Sequence, residues 1–250
     1  MPLFNGKDLD GWVSARELAG EKTPVKVDAK TGVMHVYQGE EANSEQVTDC
    51  LNTEKEYSHF ILKMEYKWLE KRFAPRTNWD RDAGLLFHVH GDLKKIWPLC
   101  LEMQIGESPG DKPHAREEKG RFHSGDLFVL GEDLRVDTHR EKGEANMRDY
   151  WKPESKGGKL VNWRHCPTRL GKEVPKAFDD PEKGWNEMEI RVHGAKKATF
   201  ILNGEVVLEL TNFTQVNEKG ERVPLEKGRI GLQAEWAEVL YRNIRIKELK

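Results

Sequence analysis

The run HFILKMEYKW, residues 59–68, places an apolar side chain at every second position: Phe60, Leu62, Met64, Tyr66 and Trp68, with Lys63, Glu65 and Lys67 between them. Successive side chains of a strand point to opposite faces, so this spacing predicts a strand with one face in a core and the other in water. Further runs read as strands: AGLLFHVHG (83–91), LCLEMQIG (99–106), GDLFVLG (125–131), WNEMEIRVHG (185–194), GRIGLQAEW (228–236) and VLYRNIRIKEL (239–249). Most are bounded by Gly, Pro or Asp turn signals. ATFILNGEVVLEL (198–210) is two β-rich runs joined by Asn203-Gly204, both tolerant of positive φ, and reads as a two-residue hairpin. Hardly any stretch combines helical periodicity with caps, so an antiparallel all-β architecture is expected.

With 250 residues the chain is long enough for one large β domain with a full core, and a single domain over 1–250 is expected. Segments 107–124 and 132–184 are rich in Lys, Glu, Gly and Pro and read as long polar loop excursions from it. The second carries Trp151, Trp163, His165 and Cys166. Lys plus Arg at 41 against Asp plus Glu at 43 gives a net charge of −2, which provides no global field for nucleic acid or an acidic membrane. Cys50, Cys100 and Cys166 are odd in number and widely spaced, so they make neither a disulfide framework nor a metal knuckle. No apolar run approaches the length of a membrane span. The opening MPLFNGKDLDGW lacks the basic and apolar regions of an export signal, and the chain is expected to be soluble.

The segment PLCLEMQIG (98–106) raises the functional question. Leu101, Met103 and Ile105 share a face suited to a core, which leaves Cys100, Glu102 and Gln104 opposite. A carboxyl held on a mid-strand can have its acidity tuned by its neighbours and act as a general acid or base; the alternative is a solvated glutamate. Alternation also groups Leu86, His88 and His90 against Leu85, Phe87 and Val89. His-x-His on a strand offers two imidazoles to one metal ion, which would need further ligands, or makes ordinary hydrogen bonds. Gln233 and Glu235 share a face opposite Leu232, Ala234 and Trp236. Asp82 could bind a hydroxyl or cap a turn. Trp97, Trp151, Trp163 and Trp236 could stack on sugar rings or serve as anchors in core and loops.

The motifs LFNGKDLDGW (3–12), AGLLFH (83–88), LEMQIG (101–106), SGDLFVL (124–130), WNEMEIRVHG with LNGEVV (185–207), and GRIGLQAEWAEVLYRNIRIKEL (228–249) occur in one order. That order and wording resemble the 3-keto-disaccharide hydrolase family over nearly the whole chain apart from the polar middle. The resemblance implies a two-sheet jelly-roll sandwich of the concanavalin-A-like lectin and glucanase type, with Cys100, Glu102 and Gln104 lining a groove on the outer face of the concave sheet. It also implies an exported bacterial protein, although this chain starts directly on the first motif, as a processed or a cytoplasmic protein would.

The implied activity is hydrolysis of glycosides whose C3 hydroxyl has already been oxidised to a ketone. A proton is taken from C2, the C1 substituent is eliminated and water adds. On this reading Glu102 is the base or acid, and His88 or His90 polarises the ketone, directly or through a divalent metal ion. Gln104, Gln233 and Asp82 orient hydroxyls, Glu235 binds substrate in place of the family's histidine or is simply exposed, and Trp97, Trp163 and Trp236 contact the sugar. Family members carry Glu-x-Gln at 102–104. They often have arginine at position 88 and Asp-His-Gly after Gln233, where this chain has Ala234-Glu235-Trp236. Two alternatives stand beside this one: a glycosidase using two carboxyls such as Glu102 and Glu235, and a non-catalytic lectin-like carbohydrate-binding module. No oligomeric state follows.

Overall fold

Strand β5 (His59–Arg72) has the alternation expected of residues 59–68. Phe60, Leu62, Met64, Tyr66 and Trp68 are buried, and the lysines and glutamate between them are partly exposed. Each such burial contributes about 1.5–3 kcal/mol, so this strand alone determines which face of its sheet turns inward. The structure is a computed structural model describing residues 1–107, 123–141, 150–163, 182 and 184–250.

Among the described residues the larger sheet has the order β10 (Tyr150–Trp151), β9 (Arg135–Glu141), β14 (Glu205–Val216), β13 (Lys197–Leu202), β12 (Asn186–His193), β5, β17 (Ala237–Glu248), β3 (Val33–Val36), β2 (Val25–Asp28). β11 (Lys159–Trp163) pairs with β9, and β15 (Arg222–Pro224) with β14. The smaller sheet runs β1 (Trp12–Ser14), β4 (Asp49–Thr53), β16 (Arg229–Ala234), β6 (Asp82–His90), β7 (Leu99–Gly106), β8 (Leu127–Leu130). Strand pairs in both sheets are antiparallel. One short helix, α1 (Ala15–Leu18), follows β1.

The two sheets pack face to face over one core. Phe87 of β6 meets Phe200 of β13 and Phe213 of β14 edge-on, at centroid separations of 5.8 and 6.1 Å. Edge-to-face pairs of this kind add about 0.5–1.5 kcal/mol beyond their buried area and fasten one sheet to the other. The Asn203-Gly204 hairpin forms as expected: both residues are left-handed, at φ 49° and 83°, and they join β13 to β14.

The segment 132–184, expected as a loop excursion, contributes β9, β10 and β11 to the larger sheet. In β9 Val136 and Thr138 are buried while Arg135, Asp137 and His139 are half-exposed, so a short alternation lies inside a charged stretch. Most of the other expected excursion, residues 108–122, lies outside the described residues, as do His165 and Cys166. No described helix is long and apolar enough to cross a membrane.

Candidate functional site

On β7 the side chains of Leu101, Met103 and Ile105 enter the main core, and Cys100 belongs to a second apolar cluster on the other side of the sheet. Glu102 and Gln104 share that outer side with Cys100. The neighbouring β6 supplies what makes the site possible. Gly84 pairs with Gln104, and Leu85 pairs with Leu232 of β16, so Gly84 lies between the strands that carry Glu102 and Gln233. A Cβ at Gly84 would collide with Glu102 Oε1 and stand 2.6 Å from Gln233 Oε1. Two side chains from flanking strands therefore converge in space that only glycine leaves open.

Glu102 is 4% exposed and Gln233 3% exposed, and among the described residues Gln233 Oε1 has no hydrogen-bond partner. Burial, reinforced by the negative charges of Asp82 and Glu235, pushes the Glu102 carboxyl well above the usual carboxylate range. Glu102 thus keeps its proton to higher pH than a carboxyl in water.

Beside it stands a charged cluster. Asp82 Oδ1 accepts from Gln104 Nε2 at 2.5 Å, and its Oδ2 accepts from Arg76 Nη1 at 2.8 Å. The same Nη1 reaches Glu235 Oε1 at 2.8 Å. Asp82 and Glu235 also form a backbone bridge that extends the pairing of β6 with β16. The Arg76 guanidinium lies 4.6 Å from the ring centroids of both Trp79 and Trp236. Trp236 donates from Nε1 to the Gln46 carbonyl at 2.7 Å, and its ring is 6.5 Å from that of Trp97, which is 45% exposed.

Neighbouring bonds hold the Arg76 loop at both ends. Phe73 N–H donates to the Trp236 carbonyl at 2.9 Å, and Arg72 Nε donates to the Trp79 carbonyl at 3.1 Å. Glu107 ties Arg72 to Arg81 with bonds of 2.7 to 2.9 Å. Burial alone would raise the Glu107 carboxyl, but Arg81 and Arg72 outweigh it and hold it below its ordinary value.

The expected face-sharing of Leu86, His88 and His90 is corrected. His88 takes a left-handed φ of 53°, and the pairing of β6 with β7 shifts register between Phe87 and His90. One such irregularity exchanges the faces of every later residue, so Val89 joins Leu86 in the outer cluster. His88 turns inward, is 0% exposed, and donates from Nε2 to the Gly194 carbonyl at 3.1 Å. Its ring packs beside Phe87 and Phe213. Burial lowers its pKa to about 4, with the Gly194 bond working in the other direction, so it is neutral at ordinary pH. Opposite it stands Gly228, where a Cβ would run into the His88 backbone.

His90 bonds through Nδ1 to the carbonyl of His88 at 2.8 Å. Neither imidazole faces the Glu102 carboxyl. Among the described residues no three His, Cys, Asp or Glu side chains stand where they could hold a metal ion. His88 and His90, the donors expected for a divalent ion, do not fit one, since His88 Nε2 is engaged by the Gly194 carbonyl and His90 Nδ1 by the His88 carbonyl.

The structure thus brings together Glu102, Gln104, Gln233, Asp82, Glu235, Trp236 and Trp97, and leaves out His88 and His90. Trp163 ends β11, its side chain lying outside the described residues, and Trp151 packs partly buried against the core. Arg76, Trp79 and Gly84 escaped the sequence reading. Arg76 and Trp79 lie in an aperiodic loop, and their only signal was an Arg and a Trp three residues apart just before β6.

Gly84→Ala should fold yet lose about 1–3 kcal/mol from overpacking, a fall of roughly 2–12 °C in melting temperature. The loss should shrink when Gln233→Ala is added; an equal loss in both backgrounds in thermal melts would contradict the convergence described here.

Two crystal structures of proteins from Parabacteroides distasonis ATCC 8503, each described as a putative glycosyl hydrolase, share this fold. One is 18% identical with a TM-score of 0.52, covering 99% of this chain and 93% of its own. The other is 18% identical with a TM-score of 0.53, covering 100% and 98%. No curated protein matches the sequence. The profile of the 3-keto-alpha-glucoside-1,2-lyase-like domain matches residues 1–247, and the chain belongs to that family.

Proposed function

We propose that the protein cleaves 3-keto-glycosides by elimination across C1 and C2 followed by hydration. The observation that supports this most is the pairing of unlike carboxyls: a buried, proton-retaining Glu102 beside Asp82 and Glu235, which share the Arg76 cation. Environments that push neighbouring carboxyls apart in acidity divide them into acid and base.

The ketone at C3 acidifies the C2 hydrogen. One of the carboxylates beside Arg76 takes that proton, and the electron pair forms an enolate at C3. On this reading the Arg76 guanidinium stabilises the enolate, the role expected of His88 or His90. Collapse of the enolate restores the ketone, forms the C1=C2 double bond and breaks the C1–O bond, while Glu102 gives its proton to the departing oxygen. Water then adds to C1, losing a proton to Glu102, and the first carboxylate returns its proton to C2. The sum is hydrolysis, with both carboxyls restored. Gln104 and Gln233 orient hydroxyls, and the Oε1 of Gln233, unpartnered among the described residues, is an acceptor for one. Trp236 and Trp97 offer the apolar face that a sugar ring needs.

The test is a paired assay of purified protein on a nitrophenyl glucoside and on its 3-keto derivative, following nitrophenol. Release from the keto compound alone is expected. Release from both at similar rates would point instead to a two-carboxylate glycosidase, and binding without release from either to a carbohydrate-binding module.

A further inference from the structure

The loop 73–81, which carries Arg76 and Trp79, leaves the end of β5 in the larger sheet and enters β6 in the smaller one. Glu107, the first residue after β7, ties its two ends together. Glu107 Oε1 accepts from Arg72 Nη2 and Arg81 Nη2, each at 2.9 Å. Its Oε2 accepts from Arg72 Nη2 at 2.7 Å and from the Arg81 backbone N–H at 2.9 Å. The Glu107 N–H donates in turn to the Arg81 carbonyl at 3.0 Å. All three side chains are between 5% and 15% exposed. A buried ion pair is often no more stabilising than apolar side chains of the same volume, so the geometry it fixes is its more telling consequence.

That geometry leads to Arg76. Arg72 turns Nη2 to Glu107 and Nε to the Trp79 carbonyl at 3.1 Å, so the direction of its guanidinium sets where the Trp79 backbone lies. The Trp79 ring in turn packs on the Arg76 guanidinium. Trp236, the other indole on that guanidinium, has bonds of its own to the Tyr37 hydroxyl and the Gln46 carbonyl. One side of the Arg76 setting is therefore anchored by Trp236, and the other is referred through Trp79 and Arg72 to Glu107.

We infer that Glu107 is a positioning residue for the reaction: through Arg72 and Trp79 it holds the Arg76 guanidinium where the enolate forms. The inference rests on the activity proposed above. The enolate arises only after the substrate has bound, so a displaced guanidinium slows turnover without weakening binding. Glu107→Gln keeps the shape of the side chain and removes the charge to which both arginines turn.

The experiment makes two measurements on Glu107→Gln, with folding checked by melting. One is kinetics on the nitrophenyl 3-keto-glucoside. The other is the NMR spectrum of the Arg76 guanidinium protons, assigned by their absence in Arg76→Lys and shifted upfield in the parent by the two indole rings. A fall in kcat of about 10–100-fold is expected, the size of loss that misplacement by an ångström or so produces, with KM within about threefold of the parent. The Arg76 resonances should move toward those of exposed arginines. Arg72→Lys, which keeps a cation for Glu107 but lacks the Nε that bonds Trp79, should reproduce both changes. In a Trp79→Ala background Glu107→Gln should cost less than about threefold in kcat, because the two act along one line of contacts. Arg76 resonances unmoved in Glu107→Gln would overturn the inference whatever the kinetics. So would an unchanged kcat, or an equal loss in the Trp79→Ala background. A parent protein that cleaves no 3-keto-glucoside would count against the proposed activity instead, and the resonances would still decide whether Glu107 holds Arg76.

Discussion

Glu102→Gln should fold as well as the parent protein and lose about 10²–10⁴-fold in kcat on a 3-keto glycoside, the range that removal of a positioned general acid produces. The substitution keeps the shape that fits over Gly84 and removes only the proton that can be given away. Its effect on stability has a definite sign. The folded-state pKa of Glu102 is raised, so the folded chain binds this proton more tightly than the unfolded one. That advantage is fully present below the unfolded carboxyl range and is lost as pH rises toward the raised folded value. The amide has no proton to lose. Melting curves should therefore nearly coincide in acid, with Glu102→Gln becoming the more stable protein as pH increases.

The pH–rate profile gives an independent reading. In the parent, kcat should fall on the alkaline side as Glu102 loses its proton, and this limb should disappear in Glu102→Gln. A variant with undiminished turnover would remove Glu102 from the chemistry. A variant that melts lower than the parent at every pH would mean that the carboxyl is held by bonds an amide cannot make.

The legible parts of this protein were those governed by local periodicity. Alternation along β5 and β7 gave the correct inward faces, and Asn203-Gly204 gave the correct hairpin, because each depends on neighbouring backbone geometry alone. His88 was misread for the same reason. A period-2 argument holds only while the register holds, and one left-handed residue opposite Gly228 exchanged the faces of everything after Phe87. In β9 the two buried residues were hidden among charged ones, so the segment read as loop.

The polar half of the site was legible as single residues but not as a constellation. Glu102 and Gln233 are 131 positions apart, and the space they share is the absence of a side chain at Gly84. The acidity of Glu102 was beyond the reach of sequence, because it follows from burial and from two carboxylates brought in by other strands. Arg76 lay in no periodic pattern, with only Trp79 three residues on to mark it. Its significance is created by partners on β6, on the end of β16 and in its own loop.

Arg76→Met should accordingly be the most damaging single change to the site. Asp82 and Glu235 share one guanidinium nitrogen in a largely buried setting, and removing the cation leaves two anions facing each other beside Glu102. Breaking a buried pair from one side costs about 3–5 kcal/mol, so the melting temperature should drop by roughly 6–20 °C near neutral pH. Protonating the stranded carboxylates relieves their repulsion, so the deficit should shrink as pH falls through the carboxylate range. Adding Asp82→Asn and Glu235→Gln should restore most of the stability at neutral pH, since amides can bond to one another where carboxylates repel.

Activity should not return with it. The enolate would still lack its cation, a loss of about 10²–10³-fold in kcat, and the carboxylates that accept the C2 proton would be gone as well. Recovery of turnover along with stability in the triple variant would show that the cluster only holds the strands together. A stable but inactive triple variant, alongside a destabilised and inactive Arg76→Met, separates the structural role of this ion cluster from its role in the chemistry.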